Sequence, residues 1–300
     1  MYRPQITQIA NILSTNYQRA KTPGLIKGYL GAAFFFYYYA RYTGLYYYED
    51  VANSLLDEVM RIDVKRMSKT FADGVYGVGW LIKRLVRENF LDEECGSLKL
   101  FEELSQQRYS EKEIYFEQMF EPSVASKLLL EPDVSPCIGQ RLMDNLEIIS
   151  NWKGRAKGAT FWLSIIIHII RNADFYDKHC VLQKYRQMFE HRLFQCIRVG
   201  HYTKQDMFII NYLQKEYSCF SEISSVLLDN QFNFLHDIYM NWQTVIFDDL
   251  IEIKEILPHA DLNNYLNEIN FHISENCISM DGICSLGINL IKKSKGMAAV

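Results

Sequence analysis

Three short glycine-rich phrases, each leading into a run of apolar residues, constrain this chain more than any other feature. The first reads Gly28-Tyr29-Leu30-Gly31-Ala32-Ala33-Phe34-Phe35, and the second Asp73-Gly74-Val75-Tyr76-Gly77-Val78-Gly79-Trp80-Leu81-Ile82. The third, Asp281-Gly282-Ile283-Cys284-Ser285-Leu286-Gly287-Ile288-Asn289-Leu290-Ile291, lies near the C-terminal end. Gly28 and Gly74 stand 46 residues apart, about the length of one helical-pair repeat. Such a unit cannot bury its apolar face alone, so copies must stack into a solenoid or a closed ring. The phrases therefore speak to architecture before chemistry.

Helical periodicity dominates the rest. Val51, Leu55, Leu56 and Val59 form one apolar stripe with a charged opposite face, as expected of a surface helix. Segments 143–149, 185–194 and 262–269 read the same way. By contrast, 29–39, 75–85, 161–170 and 283–291 are apolar on nearly all sides and belong inside. Alternation of the two kinds predicts an all-α fold with an inner and an outer layer. Glycines at the start of inner helices let backbones approach closely. Asp73 and Asp281, each preceding a glycine, are placed to cap those helices.

With 49% apolar and 23% charged residues, six prolines and no linker-like stretch, the 300 residues read as a single domain, 1–300. A net charge of −4 gives no basic field, which argues against nucleic acid as a partner. Seven cysteines stand far apart, at 95, 137, 180, 196, 219, 277 and 284, which argues against a disulfide framework and for a reducing compartment. The first residues carry no apolar signal core. The uncharged run 28–40 has thirteen residues, short of the roughly 20 needed to cross a bilayer. These features predict a cytoplasmic protein without a membrane span.

Aromatics cluster at Phe34-Phe35-Phe36-Tyr37-Tyr38-Tyr39 and Tyr46-Tyr47-Tyr48. Six consecutive aromatics on one helix point in all directions, so most must pack in the core. A central cavity gripping an extended peptide is the functional alternative. Its candidate wall is Asp73, Tyr76, Trp80 and Asp281, with Tyr76 and Trp80 one helical turn apart.

Residues 24–31, followed by Tyr48-Glu49-Asp50-Val51-Ala52, resemble the first inner and outer helices of lanthionine synthetase C-like proteins. Residues 71–82 resemble the second inner helix. The resemblance spans about 20–105 and returns over 275–293. It implies an α/α toroid of six or seven helix pairs acting in peptide maturation, with a peptide or protein as partner. Active members of that family hold zinc through a Trp-Cys-x-Gly-like phrase and a Cys-His-Gly phrase, and the metal activates a peptide thiolate for thioether formation. Neither phrase occurs here; the nearest fragments are Cys137-Ile138-Gly139 and His179-Cys180. The expectation is thus a member without cofactor or cyclase activity that binds a peptide. The alternative is an active toroid enzyme, either a cyclase with a zinc site rebuilt from Cys137, His179, Cys180 or Cys284, or a carboxylate-based glycoside hydrolase.

For the hydrolase, Asp73, Asp281, Glu117 and Glu121 are the candidate carboxylates. Asp248-Asp249-Leu250-Ile251-Glu252 has the spacing of a magnesium-binding acidic helix, and equally that of a solvated helix face. Phosphate-loop, nucleophile-elbow and His-Glu-x-x-His motifs do not occur. Between 106 and 160 the glycine phrase does not repeat, and Pro122, Pro132 and Pro136 divide the segment into short pieces. An interaction module working through its outer face is the third reading.

Overall fold

A computed structural model describes residues 2–62, 67, 73–92, 158–159, 162–163, 165–167, 182–202, 206–207, 209–211, 214, 239–240, 245, 257–271, 273–274, 277–280 and 282–296. Every regular element among them is helical, as the periodicity predicts. The chain divides into two compact units, one formed by 1–108 with 234–300 and the other by 109–233. No helix among the described residues is long and apolar enough to cross a membrane.

In the first unit, α1 (Arg3–Asn16) starts with a proline in its first turn, where the missing N–H costs nothing. It buries Ile6, Ile9, Ala10 and Leu13, spaced to form one stripe. The 3-10 turn Tyr17–Arg19 follows. Each glycine phrase then opens a helix. α2 (Leu30–Thr43) begins two residues after Gly28, α4 (Val75–Arg87) directly after Gly74, and α7 (Ile283–Gly296) directly after Gly282. Between them lies α3 (Tyr46–Met60), the amphipathic partner of α2. Gly44 separates the two helices. It takes the left-handed conformation (φ 75°) that favours glycine, and its N–H donates to Ala40 at 2.7 Å to close α2.

The buried centre of this unit is α2, in which every residue from Leu30 to Ala40 is buried. It packs against α1, α3 and α7, and Phe34 meets Trp80 of α4 edge to face at 5.7 Å. Burying one such ring contributes about 1.5–3 kcal/mol, so Phe34, Phe35 and Phe36 together outweigh any single polar contact here. The three tyrosines that follow point around the helix and fasten it to three neighbours. Tyr37 donates to Asn53 of α3 at 2.5 Å, Tyr38 to Glu88 at the end of α4 at 2.6 Å, and Tyr39 to Thr7 of α1 at 3.4 Å. A run of aromatics thus packs as core while each hydroxyl finds a partner.

α6 (His259–Phe271) and α7 close the unit around α1. The buried Tyr2 hydroxyl donates to the Leu257 carbonyl at 2.8 Å, and Gln5 reaches Asn263 at 3.0 Å. Met280 N–H donates to Ile26 at 2.9 Å, joining the turns that lead into α7 and α2. A Cβ on Gly31 would stand 2.9 Å from both the Leu25 carbonyl and Met280 Cγ, so the glycine permits this junction.

In the second unit, α5 (Leu182–Arg198) buries Phe189, Leu193, Cys196 and Ile197. Trp162 stacks on Phe189 at 5.8 Å with the Arg192 guanidinium over its ring at 5.1 Å. Trp162, Leu163 and 165–167 are helical and buried, in the segment read as an inner helix.

Candidate functional site

Of the four residues proposed as a cavity wall, Trp80 is buried against Phe34. Asp73 is half-buried and stands one residue before Gly74, which occupies the N-cap of α4 in extended backbone. Tyr76 lies in the first turn of α4, but its side chain falls outside the described residues, as does Asp281. The same is true of Cys137, His179, Cys180, Glu117, Glu121 and the segment 248–252.

Cys284 is the one zinc candidate described. It is wholly buried, its thiol donates to the Ile278 carbonyl at 3.1 Å, and burial pushes its ionisation up. A metal ligand must be a thiolate, so this environment fits a small packed hydrophobe better than a zinc donor. Among the described residues no three His, Cys, Asp or Glu side chains converge to hold a metal ion.

Among the described residues of the first unit, a cleft of about 530 Å³ lies elsewhere. That volume falls in the range of ordinary ligand sites. One wall is the segment Tyr17, Gln18, Ala20 and Lys21, and the other is Val51, Ser54, Leu55 and Glu58 on one face of α3. Tyr29 completes the lining.

The first glycine phrase explains how Tyr29 gets there. It is the N-cap residue of α2, and its N–H donates to the Thr22 carbonyl at 3.1 Å. This fold-back brings the chain so close at Gly28 that a Cβ there would overlap the backbone of Thr22 and Gly24. Only glycine fits, and the tight turn fixes the ring that follows it.

Tyr29 is 9% exposed, and among the described residues its hydroxyl has no hydrogen-bond partner. Burial first, and the Glu58 carboxylate second, push the phenol up to about 12, so it is protonated at neutral pH. Glu58 is exposed and sits with Asp57 in the last turn of α3, a turn that carries no basic residue. A helix C-terminus disfavours negative charge, so both acids stand where the dipole opposes them. Ser54 donates to the Asp50 carbonyl at 2.8 Å, which leaves its oxygen able to accept from a ligand. Tyr47, exposed, lies one turn before Val51 and extends the same face of α3.

The sequence reading did not single out Tyr17, Lys21, Tyr29 or Glu58 as a site. The one local signal was a pair of acids at a helix C-terminus. The meeting of residues 17–21 with α3 is tertiary and leaves no trace in periodicity.

Comparison with family models, with curated proteins and with solved structures finds no match to this chain.

Proposed function

We propose that this chain is a peptide-binding protein of the lanthionine synthetase C-like kind, built as an α/α toroid and working in peptide maturation without zinc-dependent cyclisation. The pairing of a wholly buried α2 with an amphipathic α3 supports the toroid reading, because it is the inner and outer arrangement such a ring repeats. The missing Trp-Cys and Cys-His-Gly phrases support the non-cyclising reading.

The observation that carries the binding role is the cleft between Tyr17–Lys21 and α3. It sets the polar groups of Tyr17, Gln18, Lys21, Tyr29, Ser54 and Glu58 beside the apolar Ala20, Val51 and Leu55, and among the described residues the Tyr29 hydroxyl has no hydrogen-bond partner. A cleft of this size with many polar groups suits an extended peptide segment, whose own backbone N–H and C=O groups need partners.

The test is an array of synthetic hexapeptides probed with the whole chain and with Ser54→Trp. Ser54 is exposed, so the indole fills the cleft without touching the core. A set of peptides bound by the wild type and lost in the variant, with unchanged circular dichroism, supports the reading. Equal retention by both proteins, or none by either, overturns it.

A further inference from the structure

We propose that the surface around the Gly44 turn, carried by Arg41, Leu45, Tyr46 and Asp50, is where a second copy of this chain docks to form a two-fold pair. The proposal goes beyond the peptide-binding reading and does not rest on it. Tyr46 and Asp50 occupy another face of α3 from the Val51 and Glu58 that line the cleft.

Three consecutive large apolar side chains stand in water here. Leu45 is 53% exposed, Tyr46 79% and Tyr47 67%, beside an α2 that is buried along most of its length. Single exposed apolar residues are ordinary, whereas a contiguous group marks a contact surface. Leu45 is informative in a second way. It is the N-cap of α3, in extended backbone and without a side-chain cap bond. Serine, threonine, aspartate and asparagine stabilise that position, and leucine is among the poorest residues for it. In the single chain this side chain neither caps the helix nor is buried. A second surface laid over it gives the leucine a role.

Charge says what that surface is. The Arg41 guanidinium, exposed in the last turn of α2, lies over the Phe90 ring at 3.3 Å and donates to the Asn89 carbonyl at 2.9 Å. This clamp uses one of its five N–H donors, and no carboxylate among the described residues pairs with it. Asp50 is exposed, one turn after Tyr46 on the same face of α3, and its carboxylate has no cation partner among the described residues. It lies beyond the first turn of α3, where the helix dipole would account for an acid. The face that begins at Tyr46 continues to Asn53, which accepts from Tyr37, and the Tyr37 ring meets Phe90 at 5.6 Å. Phe90 also supports Arg41, so these contacts put Tyr46, Asp50 and Arg41 on one side of the unit.

A partner of one charge would satisfy one of these groups and meet a like charge at the other. A surface that holds both signs is complementary to itself under a two-fold rotation, because residue i then meets j while j meets i. Arg41 of each copy faces Asp50 of the other, and the leucine and tyrosine side chains meet near the axis. Tyrosine and arginine are the residues that dominate such contacts. Arg41, already clamped on Phe90, loses little further freedom on pairing. So few side chains make a weak pair, with a Kd of roughly 1–100 µM.

Sedimentation equilibrium of the whole chain tests this. The wild type should show a reversible monomer–dimer equilibrium in that concentration range. Arg41→Asp and Asp50→Arg, each alone, set like charges opposite one another at both ends of the contact and should weaken the dimer by roughly tenfold or more. Mixed in equal amounts, the two variants regain both ion pairs, and a heterodimer of about wild-type affinity should form. A variant that merely fails to fold cannot be rescued in this way. Leu45→Ser gives a second readout. It should also lose the dimer, yet raise the urea midpoint of the dilute monomer, because serine caps α3. A wild type still monomeric at about 100 µM overturns the proposal. So does a dimer indifferent to the charge changes or to Leu45→Ser, and so do single variants that stay monomeric when mixed.

Discussion

Gly287 of α7 lies directly against the ring of Phe35 in α2, so close that the first atom of any side chain would overlap the ring edge and stand 3.2 Å from Ile9 Cγ2 of α1. Three helices meet at this one point. Phe35 cannot turn aside easily, because it stacks on Tyr39 at 5.6 Å and meets Phe36 at 5.7 Å.

Gly287→Ala therefore sets two effects against each other. Alanine in a helix interior gains up to about 1 kcal/mol over glycine in propensity. Overpacking a tight core costs about 1–3 kcal/mol. The buried setting makes the second larger, and the expected result is a net loss of about 1–2 kcal/mol. Urea denaturation checks it. Combining the change with Phe35→Leu should recover part of the loss, as a double-mutant cycle would show; a variant more stable than wild type would show that α2 and α7 are not in close contact there.

A second expectation concerns the polar cluster at the end of α4. Glu88 accepts from the Tyr38 hydroxyl at 2.6 Å and pairs with Arg84, whose side chain is only 6% exposed. Glu88→Ala takes the carboxylate from beside a buried guanidinium and should cost about 2 kcal/mol, whereas Tyr38→Phe removes only the phenol contact and should cost about 1 kcal/mol. Chemical denaturation of both variants measures the difference. Equal losses would mean that the ion pair contributes nothing beyond the phenol contact.

The helical plan was legible because it is written locally. The glycine phrases mark the starts of α2, α4 and α7, and Leu55, Leu56 and Val59 mark the buried face of α3. Even the Arg84 and Glu88 pair shows as an i, i+4 spacing. The cleft was not legible. Tyr29 reads in sequence as one more aromatic ahead of an apolar helix, and its exposure to the cleft depends on the fold-back at Gly28 and on which face of α3 stands opposite. Nor did the aspartate ahead of Gly74 reveal that the glycine itself takes the N-cap position. Contacts between residues distant in sequence settle such matters, and one sequence carries them only as spacing.

The cysteines offer a third test. Cys284 and Cys196 are buried, and burial raises the ionisation of both thiols. Only the thiolate alkylates. Cys277 is partly exposed, 3.1 Å from the Ser274 hydroxyl. Brief treatment of the native chain with iodoacetamide at pH 8, read residue by residue by mass spectrometry, should label Cys277 at least tenfold faster than Cys284. Denaturant should abolish the difference. Rapid native labelling of Cys284 would mean that α7 opens readily from α2 and α1.

The last prediction follows from the phenols. Tyr29 is held up at about 12 by burial and then by Glu58, and burial likewise raises Tyr2, Tyr38 and Tyr48 above their ordinary value. In the unfolded chain each ionises near pH 10. Below that pH both states hold the proton, and the contribution to stability is complete. Above it the unfolded state releases protons that the folded state retains, so stability falls as pH rises from about 10 through 12. Urea midpoints measured across this window should decline steadily. Tyr29→Phe should make the decline shallower, because one of the phenols resisting ionisation is gone, while Glu58→Gln should lower the Tyr29 value and reduce the slope by a smaller amount. An unchanged slope in Tyr29→Phe would mean that the phenol is open to water rather than enclosed by the cleft.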